Sequence, residues 1–114
     1  MITSHHPNDG TVVLTVDASR IDAASAMAFK ERARQLVQDE SGRVLLDLHQ
    51  VEFLDSSGLG TLVAIMKMLD GGRKLELLNC GGAVRKVLAL TRMDSVFIVH
   101  PPTDADDRAG QDAA

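Results

Sequence analysis

The chain has 114 residues, 45% of them hydrophobic and 25% charged, with a formal net charge of −4, which is the size and balance of one globular domain with a single core. Twelve Lys and Arg stand against 16 Asp and Glu, with three Phe and no Trp or Tyr; without a basic stripe or stacking platforms, direct nucleic-acid binding is not expected. Cys80 is the only cysteine, so neither an intrachain disulfide nor a Cys-pair zinc site can form, and a buried structural thiol is expected.

Met1 to Pro7 has no basic stretch followed by an apolar one, and no apolar run approaches the roughly 20 residues of a membrane span. A cytoplasmic protein that does not contact a membrane is the expectation. Pro7-Asn8-Asp9-Gly10 is a turn signal, and it predicts that the first residues pair as an edge strand with Thr11–Val16. His5 and His6 are adjacent, so on a strand they point to opposite faces, which reads as surface rather than metal ligation.

Asp22 precedes a run in which Ala26, Phe29, Ala33, Leu36 and Val37 share one helical face. This predicts an amphipathic helix capped by Asp22 and ended near Asp39 by Ser41-Gly42. Arg43 to Leu48 is the short apolar run of a strand covered on both faces. From Ser57 onward Leu59, Leu62, Val63, Met66 and Leu69 recur at helical spacing, up to Asp70-Gly71-Gly72. Lys74–Leu78 predicts another strand, Ala83–Leu90 a third helix with Val84, Val87, Leu88 and Thr91 on one side, and Val96–Val99 a last strand. The order is that of an α/β domain with a mainly parallel sheet of four to five strands, an N-terminal edge hairpin and three to four helices. Residues 1–100 form the domain. Residues 101–114 read as an acidic tail, frayed or a short helix.

Asp55-Ser56-Ser57-Gly58 joins the strand run to the second helix. Any of Asp55, Ser56 and Ser57 can cap the free amides there, while Gly58 and Gly60 keep the first turn narrow and open to approach. A phosphate on a serine at this point would add roughly −1.5 to −2 charges at the positive end of a helix. The fold tolerates that charge, but a docked partner must desolvate or repel it, which is what a binding switch requires.

Val44-Leu45-Leu46-Asp47-Leu48, the spacer Val51-Glu52-Phe53-Leu54 and Asp55-Ser56-Ser57-Gly58-Leu59-Gly60 together resemble the signature of STAS domains, specifically the bacterial anti-sigma factor antagonists. The resemblance runs from about Val12 to His100 and takes in Ile21-Asp22 and the segment Ala83–Phe97. It implies a STAS-like fold and a partner-switching role in transcription regulation. The implied phosphorylation site is Ser56, and the implied partners are an anti-sigma factor that is also a serine kinase with a histidine-kinase-like ATPase fold, and a metal-dependent serine phosphatase. It places Asp22, Asp55, Ser56, Ser57, Gly58, Leu59 and Gly60 at the docking surface. No cofactor, metal or catalytic residue is implied.

Three other readings compete. An enzyme would use Ser56 or Ser57 as nucleophile with His49 or His100 as base, but the G-x-S-x-G elbow is absent and nothing marks an oxyanion hole. A phosphopantetheine carrier also attaches its arm to a serine after an aspartate, but carriers are helical bundles and this chain has strand runs. A STAS interaction subunit of a transporter or other complex, without a phosphorylation cycle, shares the fold and is the alternative function.

Overall fold

A computed structural model describes residues 1–101. The expected tail from residue 102 onward lies outside the described residues. The elements are β1 (Ile2–Asn8), β2 (Thr11–Val16), β3 (Arg20–Ile21), α1 (Ala26–Val37), β4 (Arg43–Asp47), β5 (Phe53–Leu54), α2 (Ser56–Met68), β6 (Glu76–Leu78), α3 (Gly82–Leu90), a 3-10 turn (Met93–Ser95) and β7 (Ile98–Val99).

Five strands form one sheet in the order β1-β2-β4-β6-β7. The expected turn is confined to Asp9-Gly10, Pro7 and Asn8 belonging to β1, and it sends the chain back so that β1 and β2 pair antiparallel; the remaining neighbours are parallel. The register pairs Leu14 with Leu46 and Leu46 with Leu77. Because alternate residues of a strand share a face, Val12, Leu14, Val44, Leu46 and Leu77 line one side. They pack in a single apolar cluster with Phe29, Ala33 and Val37 of α1, Leu59, Leu62 and Ile65 of α2, and Val84 and Leu88 of α3. Val13 and Leu45, on the other side of the sheet, stand outside that cluster. The apolar run of β4 is therefore served by helices on one face. On the other face Leu45 sits between Val13 of β2 and Glu76 of β6.

Several boundaries differ from the expectation. Asp22 does not open α1: the helix starts at Ala26 with Ser25 in the cap position. The cause is local, since the Ser25 amide donates to Asp22 Oδ1 at 3.2 Å and the Asp22 amide donates to Ser25 Oγ at 3.2 Å. This reciprocal pair closes a separate turn before the helix and occupies the Ser25 hydroxyl. The last strand is only Ile98–Val99, because the 3-10 turn draws the Val96 and Phe97 amides back to the Met93 carbonyl. Gly71 and Gly72 both have positive φ, 70° and 74°, which explains their place after α2.

A second sheet of two strands has no counterpart in the expected elements. β3 and β5 pair in parallel, Arg20 with Phe53 and Ile21 with Leu54. The segment read as an apolar spacer before the serine turn is thus half of a small sheet.

Candidate functional site

The mini-sheet holds the turn at the start of α2. Asp55 follows β5 in extended conformation, and its amide donates to the Ile21 carbonyl of β3 at 3.4 Å. Of the three side chains able to cap, Asp55 does so, with Oδ1 accepting from the Gly58 amide at 2.8 Å. The other carboxylate oxygen, Oδ2, accepts from the Ala23 amide at 3.3 Å. One side chain therefore joins the α2 start to the turn before α1. Asp22, opposite it at the end of β3, accepts from Arg20 Nε at 3.1 Å; this guanidinium holds the Asp22 carboxyl below the usual aspartate range. Arg20 also lies over the Phe53 ring at 4.3 Å, a cation–π contact between two exposed side chains.

Seven residues were expected at this surface, and they divide by exposure. Ser56, Ser57 and Gly60 are exposed, Asp22 and Asp55 are half-buried, and Gly58 and Leu59 are buried. Gly58 is demanded by packing: a Cβ there would stand 2.2 Å from the Ile21 carbonyl oxygen and 2.8 Å from Leu54 Cδ1, so the first turn of α2 leans directly on β3. Gly60 has open space around it. Leu59 is 9% exposed and belongs to the core cluster.

Ser56 is the first residue of α2. No hydrogen bond to its hydroxyl exists among the described residues, and the amides of the first helical turn point outward beside it. Ser57 faces a shallow cleft of about 370 Å³ between α1 and α2, shared with Met27, Lys30, Gly60 and Ala64. Met27 is 77% exposed there. His49 and His100 bond to Asp47 and Glu76 and neither reaches Ser56 or Ser57, so the serine–histidine pair that nucleophilic catalysis needs is not assembled in this conformation. Among the described residues no group of three or more His, Cys, Asp and Glu is placed to hold a metal ion. No described helix is long and apolar enough to cross a membrane.

The mini-sheet and the Ala23 tether were missed by reading the sequence. A signal was present, because Arg20-Ile21-Asp22 and Phe53-Leu54-Asp55 share the pattern of a long side chain, an aliphatic residue and an aspartate. In space the two tripeptides lie side by side.

A parallel sheet backed by helices, with a capped serine turn at a helix start, is the architecture of a STAS domain, and the family model of the STAS domain matches residues 4–106. The chain belongs to that family. Among its relatives, the anti-sigma-F factor antagonist RsfB of Mycobacterium tuberculosis is 30% identical over 90 residues, covering 79% of this chain and 73% of RsfB. A STAS-domain containing protein of Pseudomonas aeruginosa is 30% identical over 97 residues, covering 84% of this chain and 95% of that protein. Of solved structures, an anti-sigma factor antagonist from Mycobacterium paratuberculosis superposes with a TM-score of 0.75 at 32% identity, covering 92% of this chain and 90% of that one. Within the family, the chain therefore stands with proteins named as anti-sigma factor antagonists.

Proposed function

We propose that this protein is an anti-sigma factor antagonist that works by partner switching. In its unmodified form it binds a cognate anti-sigma factor, which is also a serine kinase with a histidine-kinase-like ATPase fold, and so releases a sigma factor or other target. Phosphorylation of Ser56 by that kinase switches binding off, and a metal-dependent serine phosphatase restores it. The docking surface is built on Ser56, Ser57 and Gly60, with Asp22 and Asp55 setting its shape and Gly58 and Leu59 holding it to the core. Residues 1–100 act as the binding domain, followed by an acidic tail, and the cycle runs in the cytoplasm.

The observation that carries this reading is the state of Ser56: an exposed hydroxyl without a hydrogen bond, on a backbone fixed by the Asp55 cap. A kinase can reach it without unfolding anything. The helix amides and dipole tolerate a phosphate of roughly −1.5 to −2 charges, while the nearby Asp55 makes the modified surface more negative toward a partner. The domain is then the substrate of the chemistry and not its catalyst.

Incubation with the cognate kinase and ATP tests this, read by intact mass and by mapping the modified residue. One phosphate at Ser56, with loss of kinase binding, is expected. A phosphate mapped only elsewhere overturns the site assignment. Stable partner binding with no phosphorylation overturns the switch and leaves the STAS interaction subunit in its place.

A further inference from the structure

The shallow cleft beside Ser57 continues past the serine turn along the flanks of two helices. On one side α1 supplies Ala26, Met27 and Lys30; on the other, α2 supplies Ser57, Gly60, Thr61 and Ala64, whose i, i+3, i+4, i+7 spacing is one helical face over two turns. Each helix connects neighbouring parallel strands, α1 from β2 to β4 and α2 from β4 to β6, so the two run in the same direction. The cleft therefore has a serine end and a far end, about 10 Å away at Ala64. Its walls are small and uncharged up to Lys30, except that Met27 stands at the rim. At 77% exposed, Met27 is the most exposed large hydrophobic side chain among the described residues, while Phe29, Ala33 and Val37 serve the core from another side of α1. Helix flanks offer no free backbone edge for a strand to pair with, so an occupant must be held by side-chain packing. The mode that fits two flanks is a further helix laying an apolar ridge between them. At Gly60 nothing stands within 4 Å of where a Cβ would be, which leaves room for that ridge, and a methionine at the rim adapts to the side chains it meets.

We propose that this cleft receives an amphipathic helix of the anti-sigma factor, with apolar residues three or four positions apart packed on Met27, Gly60 and Ala64. The inference rests on the partner-switching reading above and adds to it the place and form of a second contact. The occupant is the anti-sigma factor because the cleft is continuous with the surface proposed around Ser56: Ser57 and Gly60 belong to both, so a partner that covers the serine turn reaches the cleft without a break. The turn then carries the switch, and the cleft carries a share of the affinity that a phosphate on Ser56 does not touch directly.

The test is a calorimetric titration of the full chain with the purified cognate anti-sigma factor, with thermal unfolding of each variant as the control for folding. Met27→Ala is expected to weaken binding about tenfold. Ala64→Leu fills the cleft about 12 Å along the helix from Ser56 and is expected to weaken binding about thirtyfold with the serine turn intact. If Ala64→Leu does not fold, Met27→Glu, at a side chain that the fold leaves exposed, should weaken binding at least as much as Met27→Ala. A photo-crosslinking residue in place of Met27 should map to one helix of the anti-sigma factor. Binding by the parent chain with unchanged affinity in Met27→Ala and Met27→Glu, or a crosslink mapped to an extended segment, overturns the cleft proposal and leaves the Ser56 switch standing. No binding by the parent chain overturns both. Self-association of the parent chain that Ala64→Leu abolishes gives the cleft to a second copy and overturns the proposal as well.

Discussion

Asp55 and Ala23 are 32 positions apart in the chain, yet the Ala23 amide donates to Asp55 Oδ2 at 3.3 Å. With Oδ1 engaged by the Gly58 amide, this carboxylate sets both the start of α2 and its distance from the turn before α1. Replacing it removes a cap and a tether together. Asp55→Ala is expected to lose about 1–3 kcal/mol in urea unfolding, the cap itself contributing about 1. Asp55→Asn can keep the Gly58 bond, but then its NH₂ meets the Ala23 amide, donor against donor. Amide exchange at Ala23 should therefore speed up in both variants.

The two glycines of the α2 first turn should respond in opposite directions. Gly58→Ala places a methyl group 2.2 Å from the Ile21 carbonyl oxygen, a backbone atom that cannot rotate away, so a loss of about 2–4 kcal/mol is expected. Gly60→Ala meets nothing within 4 Å and gains helix propensity of about 0.5–1 kcal/mol. Thermal unfolding of the two variants checks the contrast. If Gly60 lies under the partner, the stabilised variant should also bind its anti-sigma factor more weakly.

Ser56 is exposed and unbonded, so Ser56→Ala, Ser56→Asp and Ser56→Glu should each leave unfolding free energy within about 0.5 kcal/mol of the parent chain. Binding should separate them: Ser56→Ala stays competent and cannot be switched off, whereas the acidic variants weaken the complex by about ten- to a hundredfold. Calorimetry with the cognate anti-sigma factor measures the difference. Equal affinity in all three would remove Ser56 from the interface.

Glu76 is only 6% exposed and is held by Arg43 Nη2 at 2.6 Å and Nε at 2.9 Å, with His100 Nε2 at 2.8 Å. The Arg43 hydrogen bonds, more than the His100 contact, hold its carboxyl below the ordinary glutamate range, although burial pulls the other way. A carboxyl with a lowered folded value binds fewer protons folded than unfolded, so its contribution is present above the unfolded value of about 4.3 and is lost as pH falls through the folded value. Unfolding midpoints measured downward from pH 6 to about pH 3 should therefore fall less steeply in Glu76→Gln than in the parent chain.

Cys80 is 6% exposed and belongs to the core cluster. Burial pushes its thiol up to about 11, so almost no thiolate is present at neutral pH. Alkylation in native buffer should be slow and should accelerate at the unfolding midpoint. Rapid labelling of the folded protein would contradict the burial.

The strands and helices of the main sheet were legible because their apolar residues repeat at two or at about 3.6 positions, and that repeat is a local property of the chain. Val44–Leu46 and the Leu59 and Leu62 face of α2 stand where the pattern put them, and the turn after β1 falls at Asp9-Gly10, within the Pro7–Gly10 signal. The serine turn was legible for the same reason, since capping residues before an apolar run are a local signal. The start of α1 was misplaced because Asp22 and Ser25 satisfy each other, a competition between two capping residues that propensity alone does not resolve.

By itself the sequence determined a single α/β domain of mainly parallel sheet, and a serine-bearing turn at a helix start, where function is proposed. The tertiary structure alone decided which of the three polar residues caps that helix, that Gly58 and Leu59 belong to the core while Ser56, Ser57 and Gly60 face outward, and that Arg20–Ile21 pairs with Phe53–Leu54. Those facts depend on which distant segments meet. A two-residue strand carries too few side chains to show a period, and a tether such as Asp55 to Ala23 exists only once the chain has brought the two ends together.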